Sequence, residues 1–190
     1  MDVELLKKRL TFIEHVERLK STLRTGCSAT GRNESTAEHS WRLALMAMVY
    51  ADALCGVDPY KLLKMCIIHD LGEAVSGDVP ALQKTALPNH HQQERADVLE
   101  LVRHLDAAAA AQIIALYDEY EAGHTPESKA AKALDRLETI LQHTQGSDQP
   151  DVQFDFNLSY GRVHTDHFPE LRYVRSLLDE RTLQILAASA

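Results

Sequence analysis

His39, the adjacent pair His69-Asp70, and Asp135 are spread over nearly a hundred residues, yet each lies in a stretch of helical pattern. Imidazole nitrogens and carboxylate oxygens without thiolates form a donor set that suits Mn, Co, Fe, Zn or Mg, and helices can bring distant residues onto one inner surface. Taken singly, each has a plainer reading, since a lone histidine near an apolar helix face is usually a core or surface histidine. Together they point to one divalent metal site, because each has a distinctive local context: Ser-Thr-Ala-Glu-His-Ser at 35–40, Ile-Ile-His-Asp-Leu-Gly-Glu at 67–73 and Ala-Leu-Asp-Arg-Leu-Glu at 133–138. Two carboxylates balance a divalent charge, and a divalent ion with open positions makes water acidic enough to attack phosphorus. Glu73 and Asp78 follow His69 by four and nine residues. They read either as a solvated helix-end carboxylate and a turn residue, or as groups on the open side of a metal, where Glu73 would be a general acid or base.

Helices must carry these residues. Apolar positions recur at helical spacing along most of the chain, and alternating strand-like runs and hairpin signals are absent, so the expected class is all-α. A first helix is expected over about 3–23 with an inner stripe of Leu5, Leu6, Leu10, Ile13, Val16 and Leu19, followed by a loop from Thr25 to Ser35. Ser35 or Thr36 caps a helix that runs to about Cys55 and stops at Gly56, and Asp58-Pro59 opens another that ends near His69-Asp70. Gly72 to Pro88 is a long, irregular connection of the kind that is usually functional. Further helices are expected over about 90–104, 106–121, 126–145 and 169–187, with a polar region from Asp148 to Asn157 between the last two. Trp41, the one tryptophan, is expected in the core.

At 190 residues the chain suits one domain, 1–190, with a real core and no disulfide staples. Cys27, Cys55 and Cys66 are odd in number and lack CxxC spacing, so they read as reduced thiols, two of them in the core. With no run of eighteen apolar residues and no hydrophobic signal core after Met1, a cytoplasmic location off the membrane is expected. The net charge of −8 argues against a nucleic acid polymer or an anionic membrane as partner. It leaves a small anionic substrate open, because a metal ion and a few local cations dominate at contact range.

The order His, His-Asp, Asp resembles the HD-domain metal-dependent phosphohydrolase superfamily. Within it, the chain is similar to the 5′-deoxynucleotidase-type HD hydrolases through Leu19-Lys20, Arg24 fifteen residues before His39, the motifs at 35–40 and 69–73, Gly-Asp-Val-Pro at 77–80, Lys84, and Thr-Pro-Glu-Ser-Lys at 125–129 leading to Asp135. The resemblance implies an HD-domain helical bundle of about six to eight helices that hydrolyses nucleoside 5′-monophosphates. It implies ligation of one divalent ion by His39, His69, Asp70 and Asp135, catalysis by Glu73, sugar contact by Asp78, and phosphate contact by Arg24 and, more weakly, Lys84. A homodimer is also implied, with Leu171, Val174, Leu177, Leu178, Leu183, Ile185 and Leu186 as apolar surface that serves either pairing or the chain's own core. Two departures bear on sugar selectivity: Thr25 follows Arg24 where some members carry an aromatic residue, and Cys27 stands where another branch has Trp.

Other readings remain beside this one. An HD hydrolase of another small phosphorylated metabolite would use the same residues, and a non-catalytic nucleotide-binding HD domain would keep the fold without turnover. A di-iron HD oxygenase needs extra histidines between the His-Asp pair and the last Asp, where His90, His91 and His104 lie. Adjacent histidines point about 100° apart on a helix, and the polar sequence around His90 and His91 favours solvent exposure for both.

Overall fold

The computed structural model describes residues 2–84, 87–146 and 149–189. Asp148, where the polar region was expected to begin, and Thr85 and Ala86 of the long connection lie outside the described residues. The chain folds as a helical assembly, α1 (Val3–Val16), β1 (Leu23–Cys27), β2 (Asn33–Ser35), α2 (Thr36–Val49), α3 (Pro59–Ile68), α4 (Glu73–Ser76), α5 (Ala81–Lys84), α6 (His90–Val102), α7 (Ala107–Ala122), α8 (Pro126–Gln145), α9 (Phe154–Asn157), α10 (Arg162–Thr165) and α11 (Pro169–Ala188). Seven of these helices have ten or more residues. No helix among the described residues is long and apolar enough to cross a membrane.

α8 is the organising helix. Thr125 caps it by accepting from the Ser128 amide at 3.3 Å, and Pro126 begins it in the preferred first-turn position. Ala130, Ala131, Ala133, Leu134, Leu137 and Ile140 are fully buried, and small alanines let neighbouring backbones approach. α2, α3, α7, α10 and α11 all pack on α8. One apolar core joins Leu43, Leu62, Met65, Leu134, Leu137 and Leu171, and a second joins Phe12, Leu19, Ile68, Val98, Leu101 and Tyr117. Burying such side chains contributes about 1.5–3 kcal/mol each.

The N-terminal third departs from expectation. α1 ends at Val16, a 3₁₀ turn covers Glu17–Lys20, and the chain then enters β1, which pairs antiparallel with β2 across a register irregularity. The stretch 25–35 is thus a short hairpin and its turn, not a loop alone. Its strands are too short for alternation to be visible, and Gly26 interrupts the pattern. Within α1, Phe12 is the buried residue while Leu6, Leu10 and Ile13 are exposed; Leu5 and Val16 are half-buried and Leu19 is buried beyond the helix. The apolar stripe exists but faces outward, because the second core takes hold of the helix through Phe12. α2 stops at Val49, earlier than Cys55, and Ala51–Ala53 form a 3₁₀ turn.

Trp41 is not a core residue: it is 67% exposed on α2, on the same outer side of the chain's pattern as exposed Leu45, Met48 and Val49. Cys27 and Cys66 are buried and Cys55 is exposed, as the sequence suggested. In the C-terminal stripe, Leu171 and Leu178 close the chain's own core, Val174, Ile185 and Leu186 are half-buried, and Leu177 and Leu183 are exposed.

Candidate metal centre and substrate cavity

Local structure aims the key side chains inward. Ser35 and Glu38 form a reciprocal capping box: the Ser35 hydroxyl accepts from the Glu38 amide at 3.3 Å and the Ser35 amide donates to Glu38 Oε2 at 2.9 Å. This fixes the first turn of α2 and places His39 at zero exposure. α3 gives way to a turn at His69-Asp70. The turn requires Gly72, where a Cβ would meet the Glu94 carbonyl oxygen at 2.8 Å. Asp135 lies mid-way along α8, 3% exposed.

These elements bring the four residues together. His39 Nε2 is 3.3 Å from His69 Nε2, 3.2 Å from Asp135 Oδ1 and 3.7 Å from Asp70 Oδ2. His69 Nε2 is 3.0 Å from Asp70 Oδ2 and 3.9 Å from Asp135 Oδ1. Each imidazole is oriented from behind: His39 Nδ1 donates to the Glu138 carboxylate, and His69 Nδ1 donates 3.0 Å to the Cys66 carbonyl. Carbonyl and carboxylate oxygens only accept, so both Nδ1 atoms carry a hydrogen and both Nε2 atoms face the cluster, the orientation metal ligation requires. Side-chain groups able to hold a divalent ion are therefore assembled here.

The buried imidazoles and carboxylates of the cluster shift one another's ionisation. Burial and Arg24 press His39 toward its neutral form, yet Glu138 and Asp135 outweigh them and push its pKa up to about 10. Burial opposes ionisation of Asp70 too, but His69, Arg24 and His39 hold it well below the usual carboxylate range. Asp135 is likewise held low against its burial, by Arg136 and the two histidines.

A cavity of about 560 Å³ opens beside Asp70 and Asp135, and Arg24, Asp78 and Lys84 are on its wall. Arg24 NH1 is 3.2 Å from Asp70 Oδ2 and 3.9 Å from Asp78 Oδ1, and its NH2 donates 3.3 Å to Thr139. Gly77, at φ +84°, takes the left-handed turn that starts the Gly-Asp-Val-Pro segment. Lys84 faces the same cavity but is paired with Glu94 at 3.0 Å. Glu73 is only 5% exposed; Oε2 accepts 2.7 Å from Thr36, while Oε1 has no hydrogen-bond partner. Burial and the charges of Asp70 and Asp78 push its carboxyl up to about 9. Glu73 borders a second cavity of about 380 Å³.

Several contributors escaped the sequence reading. Glu138 stands one turn after Asp135 on the same face of α8, and Arg42 one turn after His39; Arg42 Nε donates 2.6 Å to Glu138. That i, i+3 spacing was the available signal. Thr36, Glu34 and Arg136 also belong to the surroundings: Arg136 bonds Asp135, and Glu34 lies 3.8 Å from Arg24 Nε. The second-metal histidines do not join the cluster. His91 is exposed and 2.8 Å from Glu121, and His104 stacks on His15 with ring centroids 4.1 Å apart. His90 corrects the expectation of solvent exposure: its side chain is 9% exposed, turned into the second cavity and 2.8 Å from Glu94.

The sequence matches the HD domain profile over residues 16–172. The chain belongs to the HD domain family. Both ends of the candidate metal cluster, His39 and Asp135, fall within the HD match. A 5′-deoxynucleotidase HDDC2 of Danio rerio is 30% identical over 184 residues, covering 94% of this chain and 90% of its own length. The Homo sapiens 5′-deoxynucleotidase HDDC2 is 29% identical over 187 residues, covering 95% and 90%. Among solved structures, a predicted metal-dependent phosphohydrolase from Magnetospirillum magnetotacticum MS-1 superposes with a TM-score of 0.82 at 28% identity, covering 94% of this chain and 93% of that one.

Proposed function

We propose that this HD domain is a metal-dependent phosphomonoesterase that hydrolyses nucleoside 5′-monophosphates, deoxyribonucleotides among them, to nucleoside and phosphate. The observation that carries this reading is the convergence of His39, His69, Asp70 and Asp135 within 3.9 Å of His39 or His69 Nε2, at the edge of a cavity that also holds Arg24. The relatives named 5′-deoxynucleotidase support the substrate class. In this reading the four side chains hold one divalent ion, of which Mn, Co, Mg, Fe and Zn all suit the donor set. When bound, such an ion supplies Lewis acidity toward water and toward a phosphoryl oxygen.

The chain's own groups do the rest. Arg24 offers parallel N–H donors to phosphate oxygens and is held against Asp70 and Asp78 until phosphate arrives. Asp78 accepts a hydrogen bond from a sugar hydroxyl. Glu73, whose raised pKa keeps a proton on a buried carboxyl that lies off the wall of the first cavity, serves as the general acid for the leaving 5′ oxygen as the phosphorus–oxygen bond breaks. The resulting carboxylate then takes up the proton released by the attacking water. Lys84 contributes positive charge to the cavity, reduced by its pairing with Glu94.

The assembly in this reading is a cytoplasmic homodimer of single-domain chains. The support for pairing moves from the C-terminal helix to the N-terminal half, where Val3, Leu6, Leu10 and Ile13 form an exposed stripe at heptad-like spacing and Trp41, Leu45, Met48 and Val49 form another. The test of function is phosphate release from a panel of deoxyribo- and ribonucleoside 5′-monophosphates with Mn, Co or Mg. Release from several bases is expected. Failure with every nucleoside monophosphate, alongside release from a different phosphomonoester, would reassign the substrate to another phosphorylated metabolite.

A further inference from the structure

The wall of the 560 Å³ cavity includes part of the segment 151–160, to which the metal chemistry gives no task. Phe156, on α9, and Tyr160 both face this cavity, with ring centroids 4.8 Å apart and planes inclined by 32°. Behind them Arg136 bridges the aromatic pair to the metal cluster: its guanidinium carbon lies 5.0 Å from the centre of the Tyr160 ring while its NH1 bonds Asp135. One cavity therefore runs from a cationic and metal-binding end to an aromatic surface.

The aromatic wall is built, not incidental. Arg175 on α11 is 1% exposed, and it spends its guanidinium on this segment: NH1 donates 2.6 Å to the Tyr160 carbonyl, NH2 donates 2.6 Å to the Asn157 carbonyl, and Nε donates 2.7 Å to Asp179. A buried guanidinium is costly unless its donors are satisfied, so these bonds fix the backbone at the end of α9 and just beyond it. Asn157 is fully buried and accepts 2.9 Å from His143 Nδ1 on α8. Ahead of the segment, Gln149 accepts 2.7 Å from the Cys27 amide and donates 3.3 Å to the His143 carbonyl. The wall is thereby anchored to α8, α11 and β1.

We propose that Phe156, backed by Tyr160 and Arg136, is the stacking platform for an aromatic base on the leaving-group side of the substrate, and so selects nucleobase-bearing phosphomonoesters over bare sugar phosphates. This rests on the phosphomonoesterase reading above. The cavity volume is in the range that encloses a drug-sized ligand. Stacking needs only a π face, which every base has, so the platform demands a base without choosing strongly among bases.

The test compares kcat/KM for deoxy-AMP and for 2-deoxyribose 5-phosphate in the wild-type protein, Phe156→Ala and Phe156→Trp, each folded by circular dichroism and loaded with the same metal. Phe156→Ala should lose about tenfold with deoxy-AMP, mostly in KM, and less than about twofold with the baseless substrate, as expected for the loss of one base–aromatic stack. Phe156→Trp should restore the deoxy-AMP value. Equal losses on both substrates would reduce Phe156 to a structural part, and no loss on either would remove it from the site; both results overturn the platform while leaving the nucleotidase reading intact. A wild-type protein that hydrolyses neither compound overturns that reading and the platform with it.

Discussion

Replacing Glu138 by glutamine separates a metal centre from a chance cluster of polar side chains. Glu138 is fully buried, accepts the His39 Nδ1 hydrogen and pairs with Arg42 through a 2.6 Å bond from Nε. Glutamine keeps the volume and an acceptor oxygen, but it removes the negative charge that makes His39 a stronger donor and turns an NH₂ group either toward Arg42, which can only donate, or toward His39 Nδ1, where it favours the tautomer with the hydrogen on Nε2. Changes to such a supporting carboxylate typically cost ten- to a hundredfold in metal affinity, or about 1.4–2.7 kcal/mol. The assay is competition of Mn or Co against a fluorescent chelator at pH 7.5, with thermal unfolding of the metal-free proteins as a control on folding. A fall in affinity of about ten- to a hundredfold with retained cooperative unfolding is expected. An affinity within twofold of the wild type would refute the claim that Glu138 orients His39 for a metal.

Glu73→Ala should keep the ion and lower kcat by about a hundredfold or more, the size of a general acid–base contribution; if it loses metal as completely as Asp70→Ala, Glu73 is a ligand. Glu34 is 6% exposed, and burial together with the nearby Glu138 charge pushes its pKa up to about 7, against the pull of His39, Arg24 and Arg42. The folded chain then holds a proton that the unfolded chain releases, so stability falls as pH rises from about 4.5 through 7. Glu34→Gln should be near neutral at pH 4.5 and more stable than wild type above pH 7 by up to about 3 kcal/mol, read by denaturant unfolding across pH; a pH-independent difference would contradict this. Thr25 lines the cavity without an aromatic ring to close it, and a site that merely accommodates an added hydroxyl rejects it weakly, so AMP and deoxy-AMP should differ in kcat/KM by less than about a thousandfold.

The convergence of the four candidate metal-binding residues was legible because each is embedded in a local pattern that also sets its backbone: the capping box before His39, the Gly72 turn after His69-Asp70, and the Thr-Pro start of the helix that carries Asp135. Helix existence followed from apolar period for the same reason, and 126–145 coincides with α8. What stayed hidden depends on contacts between distant elements. Glu138 looks like any helix carboxylate until His39 arrives from α2. Phe156 lies in the polar stretch and Tyr160 just after it, and the position of this segment is decided by Arg175 from α11. The β1–β2 hairpin has no alternation to read, and the stripe on α1 names an apolar face without naming what covers it.

Titrating manganese into metal-free protein while recording phosphate release from deoxy-AMP tests the central claim most directly. Activity should rise linearly and level off at about one equivalent per chain, and Asp70→Ala should show none at any metal concentration, as expected for one closed ligand set. Saturation at two equivalents, or phosphate release by Asp70→Ala, would contradict the account.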